Sequence, residues 1–246
     1  MATYKGIQGY NVQSLASDPT VTEAIGQLWY NSTTGKFKIA TEGTGAWAAG
    51  GDLNLYREEA GGSGTQSAGI CAGGLQSPGD SPRYRAETEL YNGTSWTEVA
   101  DLNTGRATPR GAGSTTAALW MGGGAPSSTP PTNNTESYNG TAWTEVSGLT
   151  TARRDASGWG TQALACYAGG TPNSTLYEEW NGSAWSASTA FNTGRSHLMG
   201  AGTQTAGLIF GGTNPPPQSD LAELWNGTSW TQVNTLNTAR QFGGGS

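Results

Sequence analysis

Arginine and glutamate recur in this chain at fixed distances from aromatic residues. Five arginines each follow a tryptophan by ten residues, at Trp47/Arg57, Trp96/Arg106, Trp143/Arg153, Trp185/Arg195 and Trp230/Arg240. Glutamates precede a second recurring aromatic by two residues, at Glu89, Glu136, Glu178 and Glu223, and Lys38 takes that place in the first repeat. Such groups either form a ring of charges that binds an anion or a sugar, or make one ion pair in each repeat. We expect the ion pairs.

The five recurring tryptophans also allow two interpretations. An exposed indole is a platform on which a ligand stacks, whereas a buried one removes roughly 150–250 Å² from water and stabilises a core. Because a repeat protein needs large apolar groups between its units, we expect these tryptophans to be structural.

Residues that could carry catalysis are few. His197 is the only histidine, so a His-rich metal site is excluded, and we expect it to be an ordinary strand residue equivalent to Glu59, Thr108 and Asp155 of other repeats. Cys71 and Cys166 are expected to be buried thiols too far apart for a disulfide. The sequence contains neither a phosphate-binding loop nor a nucleophile elbow. It therefore predicts a protein that is not an enzyme and needs no cofactor or metal.

Composition argues against several partners. The formal net charge is −6 and only three residues are lysine, so no basic surface for nucleic acid is expected. No apolar run approaches the roughly 20 residues that cross a bilayer, and residues 1–20 lack the apolar core of a secretory signal.

Four landmarks define the repeat that positions these residues. Sixteen residues separate each of the first four arginines from a Gly-Gly pair, and Asn-Gly follows the aromatic that precedes each later tryptophan. Apolar runs and alternating segments between the landmarks predict four strands, and no segment has a sustained helical period. Asn-Gly predicts a tight hairpin with positive φ at both turn residues. Tryptophan-to-tryptophan periods of 49, 47, 42 and 45 residues are typical of propeller blades.

We therefore predict an all-β, five-bladed propeller with four-stranded antiparallel blades. The last blade would combine N-terminal strands leading to Trp47 with a C-terminal strand from RQFGGGS, which removes exposed sheet edges.

The order Gly-Gly, aromatic, Trp, Arg resembles that of kelch repeats. The segments YNGTSWTEVADLNTGR and WNGTSWTQVNTLNTAR are similar to kelch-like repeats of proteins from tailed bacteriophages, especially marine ones. GQLWYNSTTGKFK resembles a short motif of phage tail and fibre proteins. The resemblance covers about residues 27–246, although Glu42-Gly43 replaces the aromatic-Asn pair in the first repeat. It implies a virion protein assembled in the host cytoplasm.

All length variation between repeats falls in four segments, which we call the variable loops: residues 75–86, 124–135, 171–175 and 213–220. They occupy the same place in each blade, so they share one face, where either binding specificity or neutral drift explains their differences. The candidate binding residues in them are Arg83, Tyr84, Arg85, Pro126, Pro130, Pro131, Asn173, Pro215, Pro216 and Pro217.

Residues 1–26 lie outside the repeat. We expect either an arm that docks onto other virion proteins or a second copy of the chain, or a tail packed on its own propeller. The leading expectation is a structural or host-recognition protein of a phage particle whose partners are virion proteins or host-surface glycans. The alternative is a free carbohydrate-binding propeller.

Overall fold

The computed structural model describes residues 13–15, 28–39, 49–76, 83–124, 131–214 and 217–242. All secondary-structure elements in these residues are β-strands, so the predicted all-β class is confirmed. Within the same ranges no helix is long and apolar enough to cross a membrane. The chain divides into two compact units, Met1–Ala49 and Gly50–Ser246.

The first unit contains one three-stranded sheet. Its strands are β1 (Gln13–Leu15), β2 (Leu28–Asn31) and β3 (Lys36–Ile39). β1 runs parallel to β2, and β2 runs antiparallel to β3. The sequence predicts a four-stranded antiparallel blade here, so the parallel pairing of β1 with β2 differs from that prediction. β1 falls within residues 1–26, so three residues of the expected arm pair with β2.

The second unit contains four sheets, each made of four consecutive strands in antiparallel order. Sheet I comprises β4 (Gly61–Thr65), β5 (Ala68–Ala72), β6 (Thr88–Tyr91) and β7 (Trp96–Val99). Sheet II comprises β8 (Arg110–Ser114), β9 (Ala117–Met121), β10 (Thr135–Tyr138) and β11 (Trp143–Val146). Sheet III comprises β12 (Ser157–Gly160), β13 (Ala165–Ala168), β14 (Tyr177–Trp180) and β15 (Trp185–Ala187). Sheet IV comprises β16 (Met199–Gly202), β17 (Gly207–Phe210), β18 (Ala222–Trp225) and β19 (Trp230–Val233).

The first strands of these sheets lie side by side. β4 contacts β8, β8 contacts β12, and β12 contacts β16. Four antiparallel sheets packed in this way are consistent with the blades of a β-propeller.

Apolar clusters fill the spaces between successive sheets. Trp120 and Tyr138 of sheet II pack with Ile70 of sheet I, and Trp159 of sheet III packs with Ile209 of sheet IV. A further cluster joins sheets II and III. Sheets II and III therefore bury both of their faces against neighbouring sheets, which explains the strict repeat in the sequence.

Two glycines let a first strand approach a tryptophan. A Cβ at Gly111 would lie 2.5 Å from the Trp120 ring, and one at Gly200 would lie 2.7 Å from the Trp159 ring. Alanine at either position would collide with an indole that the core holds fixed.

Two glutamines join sheets III and IV to the sheet before each of them. Gln162 follows β12 and donates through Nε2 to the carbonyl of Tyr138 at 2.6 Å. Gln204 follows β16 and donates through Nε2 to the carbonyls of Trp180 and Ala165 at 2.5 and 3.0 Å. These hydrogen bonds fix the register of neighbouring sheets at the first hairpin turn.

The Asn-Gly hairpins are present, but the predicted turn type is wrong. Tyr91 pairs with Trp96 across a four-residue loop, in which Gly93 has φ +93° and Asn92 does not have a positive φ. The Asn92 side-chain oxygen instead accepts hydrogen bonds from the backbone N–H groups of Thr94 and Ser95, both at 3.0 Å. Asn139, Asn181 and Asn226 cap their loops in the same way. An asparagine that caps backbone donors needs no left-handed conformation.

Three of the recurring tryptophans are core residues, as expected. The exposed fractions of Trp143, Trp185 and Trp230 are 6%, 6% and 7%, and Trp96 is half-buried. Trp47 lies outside the described residues.

Both cysteines are buried and free, in sheets that are not adjacent. Burial raises the pKa of the Cys71 thiol, and it raises the pKa of Cys166 to about 12. Because the thiolate is the reactive form, we expect neither residue to react with a maleimide at neutral pH while the protein is folded. Both should react in urea, which mass spectrometry measures. Fast labelling of native Cys166 would contradict its buried position.

Candidate binding site at the loop face

The recurring arginines and glutamates form buried ion pairs inside the sheets. The pairs are Arg57–Glu89, Arg106–Glu136, Arg153–Glu178 and Arg195–Glu223. Both side chains of every pair are at most 2% exposed, so a ligand cannot reach them. The second carboxylate oxygen is also occupied, as in sheet IV, where Asn192 donates to Glu223 through its backbone and side-chain nitrogens at 2.8 and 2.7 Å. The ion-pair interpretation is confirmed for these four repeats, and a ligand-binding ring of charges is excluded in them.

The second residue after each recurring arginine has a left-handed backbone. These residues are Glu59 (φ +56°), Thr108 (φ +51°), Asp155 (φ +57°), His197 (φ +52°) and Phe242 (φ +58°). The first strand of each sheet begins only two residues further on. The prediction that His197 is a strand residue is therefore wrong.

Hydrogen bonds between repeats hold this conformation. Thr108 donates its backbone N–H to the carbonyl of Glu59 at 2.9 Å, and His197 donates to Asp155 at 2.6 Å. Phe242 donates to the carbonyl of His197 at 3.2 Å. Three pairs of consecutive repeats are thus joined at the same backbone position, just before the first strand.

The same position lies beside the variable loops. The residue before Thr108 bridges to Gly124, which bridges in turn to Pro131, and Ser196 bridges to Thr213 in the same way. The variable loops and the left-handed residues therefore share one face of the second unit, which we call the loop face. The Asn-Gly turns lie at the opposite ends of the third strands.

Glycine is not used at this position, although the chain uses it at other left-handed positions. Seventeen glycines in the described ranges have positive φ, but these five repeats place five different side chains where glycine would fit without strain. A left-handed conformation costs a residue with a Cβ roughly 1–2 kcal/mol. The recurring Arg, Glu and Trp residues are the same in each repeat because they stabilise the fold. A position with the same backbone conformation but a different side chain in each repeat is typical of a surface that binds a partner.

Replacing Thr108 by glycine should stabilise the protein. Thr108 is β-branched and left-handed, and its buried hydroxyl has no hydrogen-bond partner in the described residues. We expect Thr108→Gly to raise the free energy of unfolding by about 1 kcal/mol in urea titrations. The same change at Thr97, an exposed residue within β7, should lower it by about 1 kcal/mol because glycine weakens a strand. A loss of stability at both positions would show that the Thr108 side chain carries no strain.

A group of polar side chains lies around Asp155 and His197 at the loop face. The Asp155 carboxylate accepts a hydrogen bond from Thr171 Oγ1 at 2.7 Å, and its other oxygen lies 3.6 Å from His197 Nε2. Arg154 Nε is 3.5 Å from the carboxylate. The other ring nitrogen, His197 Nδ1, lies 3.2 Å from Ser196 Oγ. Asp155 is 9% exposed, so these neighbours cover most of its carboxylate.

Burial, with a smaller effect of neighbouring charges, shifts the pKa values of two residues in this group. Burial raises the pKa of Glu59, and the carboxylates of Asp155 and Glu58 add to that effect. Burial lowers the pKa of His197 below its ordinary value, against the attraction of Asp155. His197 is therefore neutral at pH 7 and offers both a donor and an acceptor.

An exposed aromatic ring completes the group. Phe242 is 66% exposed, and its ring centroid lies 4.2 Å from that of His197. The two rings meet at an interplanar angle of 57°, and most of the phenyl surface remains exposed. An exposed ring next to a fixed carboxylate can contact a ligand that has both an apolar face and polar groups.

The residues predicted in the variable loops have mixed outcomes. Arg83 and Pro217 are exposed, whereas Tyr84 and Pro131 are half-buried. Arg85 is buried and donates to Glu87 at 3.0 Å and to Gln76, so it holds its loop. Asn173 accepts a hydrogen bond from Ser196 Oγ at 2.9 Å and supports the His197 side of the loop face. Pro126, Pro130, Pro215 and Pro216 lie outside the described residues.

A separate cavity lies between three first strands. Its volume is about 280 Å³, and backbone from Gly62–Gly64, Gly111–Gly113 and Gly158–Gly160 lines it. Trp159 is its one aromatic residue and is 2% exposed. This lining offers a ligand few side-chain groups. In the described part of the chain, no group of three or more His, Cys, Asp or Glu could hold a metal ion.

Sequence analysis aligned His197 with Glu59, Thr108 and Asp155 but did not identify them as a site. The available signal was a position of changing chemistry at a constant distance from the recurring arginine. Nothing in the local sequence predicts its left-handed backbone, which depends on hydrogen bonds between repeats. No family model matches this chain, and no curated protein matches it.

Proposed function

We propose that this chain is a non-enzymatic recognition module of a tailed-phage virion, built on a kelch-like propeller, and that its loop face contacts the host surface. The observation that supports this most is the left-handed position, where a constant backbone carries a different side chain in each repeat. The phage origin rests on the resemblance of the repeats and of GQLWYNSTTGKFK to phage proteins. Residues 1–26 would attach the module to other virion proteins or to a second copy.

The scaffold suits this function because it is rigid beneath the loop face. Buried ion pairs at the start of each repeat hold the residues just before the left-handed position. Binding groups on a rigid scaffold lose little conformational entropy when they meet a partner.

Steric blocking of one face tests the proposal. Pro217→Cys places a thiol on the loop face, and Thr228→Cys places one in an Asn-Gly turn at the other end of β18; both positions are exposed. The native thiols are buried, so polyethylene glycol attaches only to the new cysteine. Particles assembled with the modified Pro217→Cys variant should fail to adsorb to host cells, whereas the Thr228→Cys variant should adsorb normally. Equal adsorption of both would rule out the loop face as the contact surface.

The alternative is a free carbohydrate-binding protein, which the exposed Phe242 beside Asp155 favours. Mass spectrometry of purified particles separates the two. A virion module should be present at a fixed number of copies in each particle. Its absence from particles, together with glycan binding by the isolated protein, would favour the alternative.

We also propose that the propeller has five blades and that N- and C-terminal strands close the last one. Phe242 supports this, because it repeats the left-handed conformation that precedes the first strand in the four other repeats. Deletion of residues 241–246 should therefore remove hydrogen-exchange protection from backbone amides in residues 28–39. Unchanged protection there would contradict closure by the C-terminus.

A further inference from the structure

We infer that Asp155, His197 and Phe242 bind one uncharged sugar residue, a hexopyranose of a host-surface glycan. This inference rests on the proposed function of the loop face and names the ligand class. It concerns a single site formed by unlike side chains from three repeats, not equivalent sites between blades.

The Asp155 carboxylate is oriented for an external hydrogen bond. Thr171 occupies one oxygen at 2.7 Å, whereas the other is 3.6 Å from His197 Nε2, too long for a hydrogen bond. That oxygen keeps acceptor capacity while the backbone and Thr171 fix its position. A sugar hydroxyl that donates to it would make a charge-assisted hydrogen bond, and neutral His197 can donate to or accept from a neighbouring hydroxyl.

Phe242 provides the second requirement of a sugar site. One face of a pyranose carries C–H groups, which pack against an aromatic ring, and its edge carries hydroxyls. Phe242 is 66% exposed and packs against His197 at an interplanar angle of 57°, so much of its ring is open to a ligand beside the imidazole that faces Asp155. A phenyl ring left this exposed gains from being covered.

The charges around the site favour an uncharged ligand. The carboxylates of Asp155 and Glu58 raise the pKa of Glu59, and the guanidiniums of Arg154 and Arg110 act in the opposite direction. Arg110 is itself engaged, since its Nε donates to the carbonyl of Ala156 at 2.6 Å. Opposite charges in nearly equal number give neither an anion nor a cation a strong net attraction.

Saturation-transfer NMR and calorimetry with purified protein test this inference. The probes are the methyl glycosides of glucose, galactose, mannose and N-acetylglucosamine. At least one should bind with a dissociation constant of about 1 mM, in the weak range expected for a single sugar. Its ring C–H protons should receive the strongest saturation, because they face Phe242.

Three variants locate the binding. Asp155→Asn, which keeps the shape of the side chain, and Phe242→Ala should each weaken binding at least about tenfold, the effect of losing one good contact. Phe242→Tyr should retain it. Tyr56→Ala removes another exposed aromatic, 69% exposed, and should leave binding unchanged. Thermal unfolding identifies any loss of folding in Asp155→Asn, and Phe242→Ala is the second test because that ring is exposed.

The outcomes separate this inference from the proposed function. If no glycoside binds, or if binding is indifferent to both Asp155→Asn and Phe242→Ala, the sugar site is wrong. If the loop-face modification still blocks adsorption in that case, recognition stands with another ligand class. If a glycoside binds at Asp155 but blocking the loop face leaves adsorption intact, the sugar site stands and the proposed function fails.

Discussion

Arg195→Ala should lower the free energy of unfolding by about 3–5 kcal/mol, the cost of leaving a buried carboxylate without its cation. Arg195 is fully buried and donates to Glu223 Oε1 at 2.8 Å. It also donates to the carbonyls of Gly211 and Leu221 at 3.1 and 2.7 Å, next to a variable loop. Alanine would remove these three hydrogen bonds and the one from Nε to the carbonyl of Thr193 at 3.2 Å, while Glu223 stays 1% exposed.

The chain supplies a matched control at the fifth repeat. Arg240 occupies the equivalent position, but it is exposed and donates to the carbonyl of Thr238 at 3.3 Å. Arg240→Ala should change the free energy of unfolding by no more than about 0.5 kcal/mol, as is usual at the surface. Urea titrations measure both. The double variant Arg195→Met/Glu223→Leu should recover most of the loss, since it leaves no unpaired charge. Equal losses of stability in Arg195→Ala and Arg240→Ala would mean that burial does not determine how much a recurring arginine stabilises the protein.

Trp185→Ala should cost about 3–5 kcal/mol, the range found for large aromatic residues in cores. Trp185 is 6% exposed and packs against Trp180 and Tyr167 of its own sheet. Its indole Nε1 donates to Thr135 Oγ1 of sheet II at 3.0 Å. The substitution therefore leaves a cavity between two sheets and an unsatisfied hydroxyl.

Trp96 is the control for this prediction. It holds the same place in its repeat but is half-buried, with Nε1 donating to the carbonyl of Gly51 at 3.0 Å. Trp96→Ala should cost about 1–2 kcal/mol, because less apolar area returns to water. Thermal and urea unfolding of both variants give the comparison. A larger loss for Trp96→Ala would contradict the assignment of Trp185 to the core.

Constant features of the repeat were predictable from the sequence, and features that depend on contacts between repeats were not. Fixed spacing identified the strands, the partners Arg195 and Glu223, and the burial of Trp185, because identical residues at identical positions must satisfy the same local needs. The left-handed backbone at Thr108 and His197 could not be predicted, since a β-branched threonine disfavours it and histidine adopts it in only a minority of cases. A hydrogen bond from the neighbouring repeat determines it.

The variable loops illustrate the same limit. Arg85 has the composition of a binding residue, yet Glu87 and Gln76 engage it inside its loop. Sequence alone did not distinguish a cation that supports a loop from one that faces a ligand. The Asn92 turn likewise depends on a side chain that caps the backbone, an option that the Asn-Gly signal does not specify.

The glutamine contacts between sheets have an evolutionary consequence. Gln162 and Gln204 donate to main-chain carbonyls, and every residue type presents a carbonyl. These hydrogen bonds between sheets therefore do not depend on which side chains the neighbouring repeat carries. A duplicated or exchanged repeat would therefore meet hydrogen-bond acceptors in any neighbouring repeat. Gene rearrangement can then change the surface side chains of one repeat while the contacts between sheets are kept.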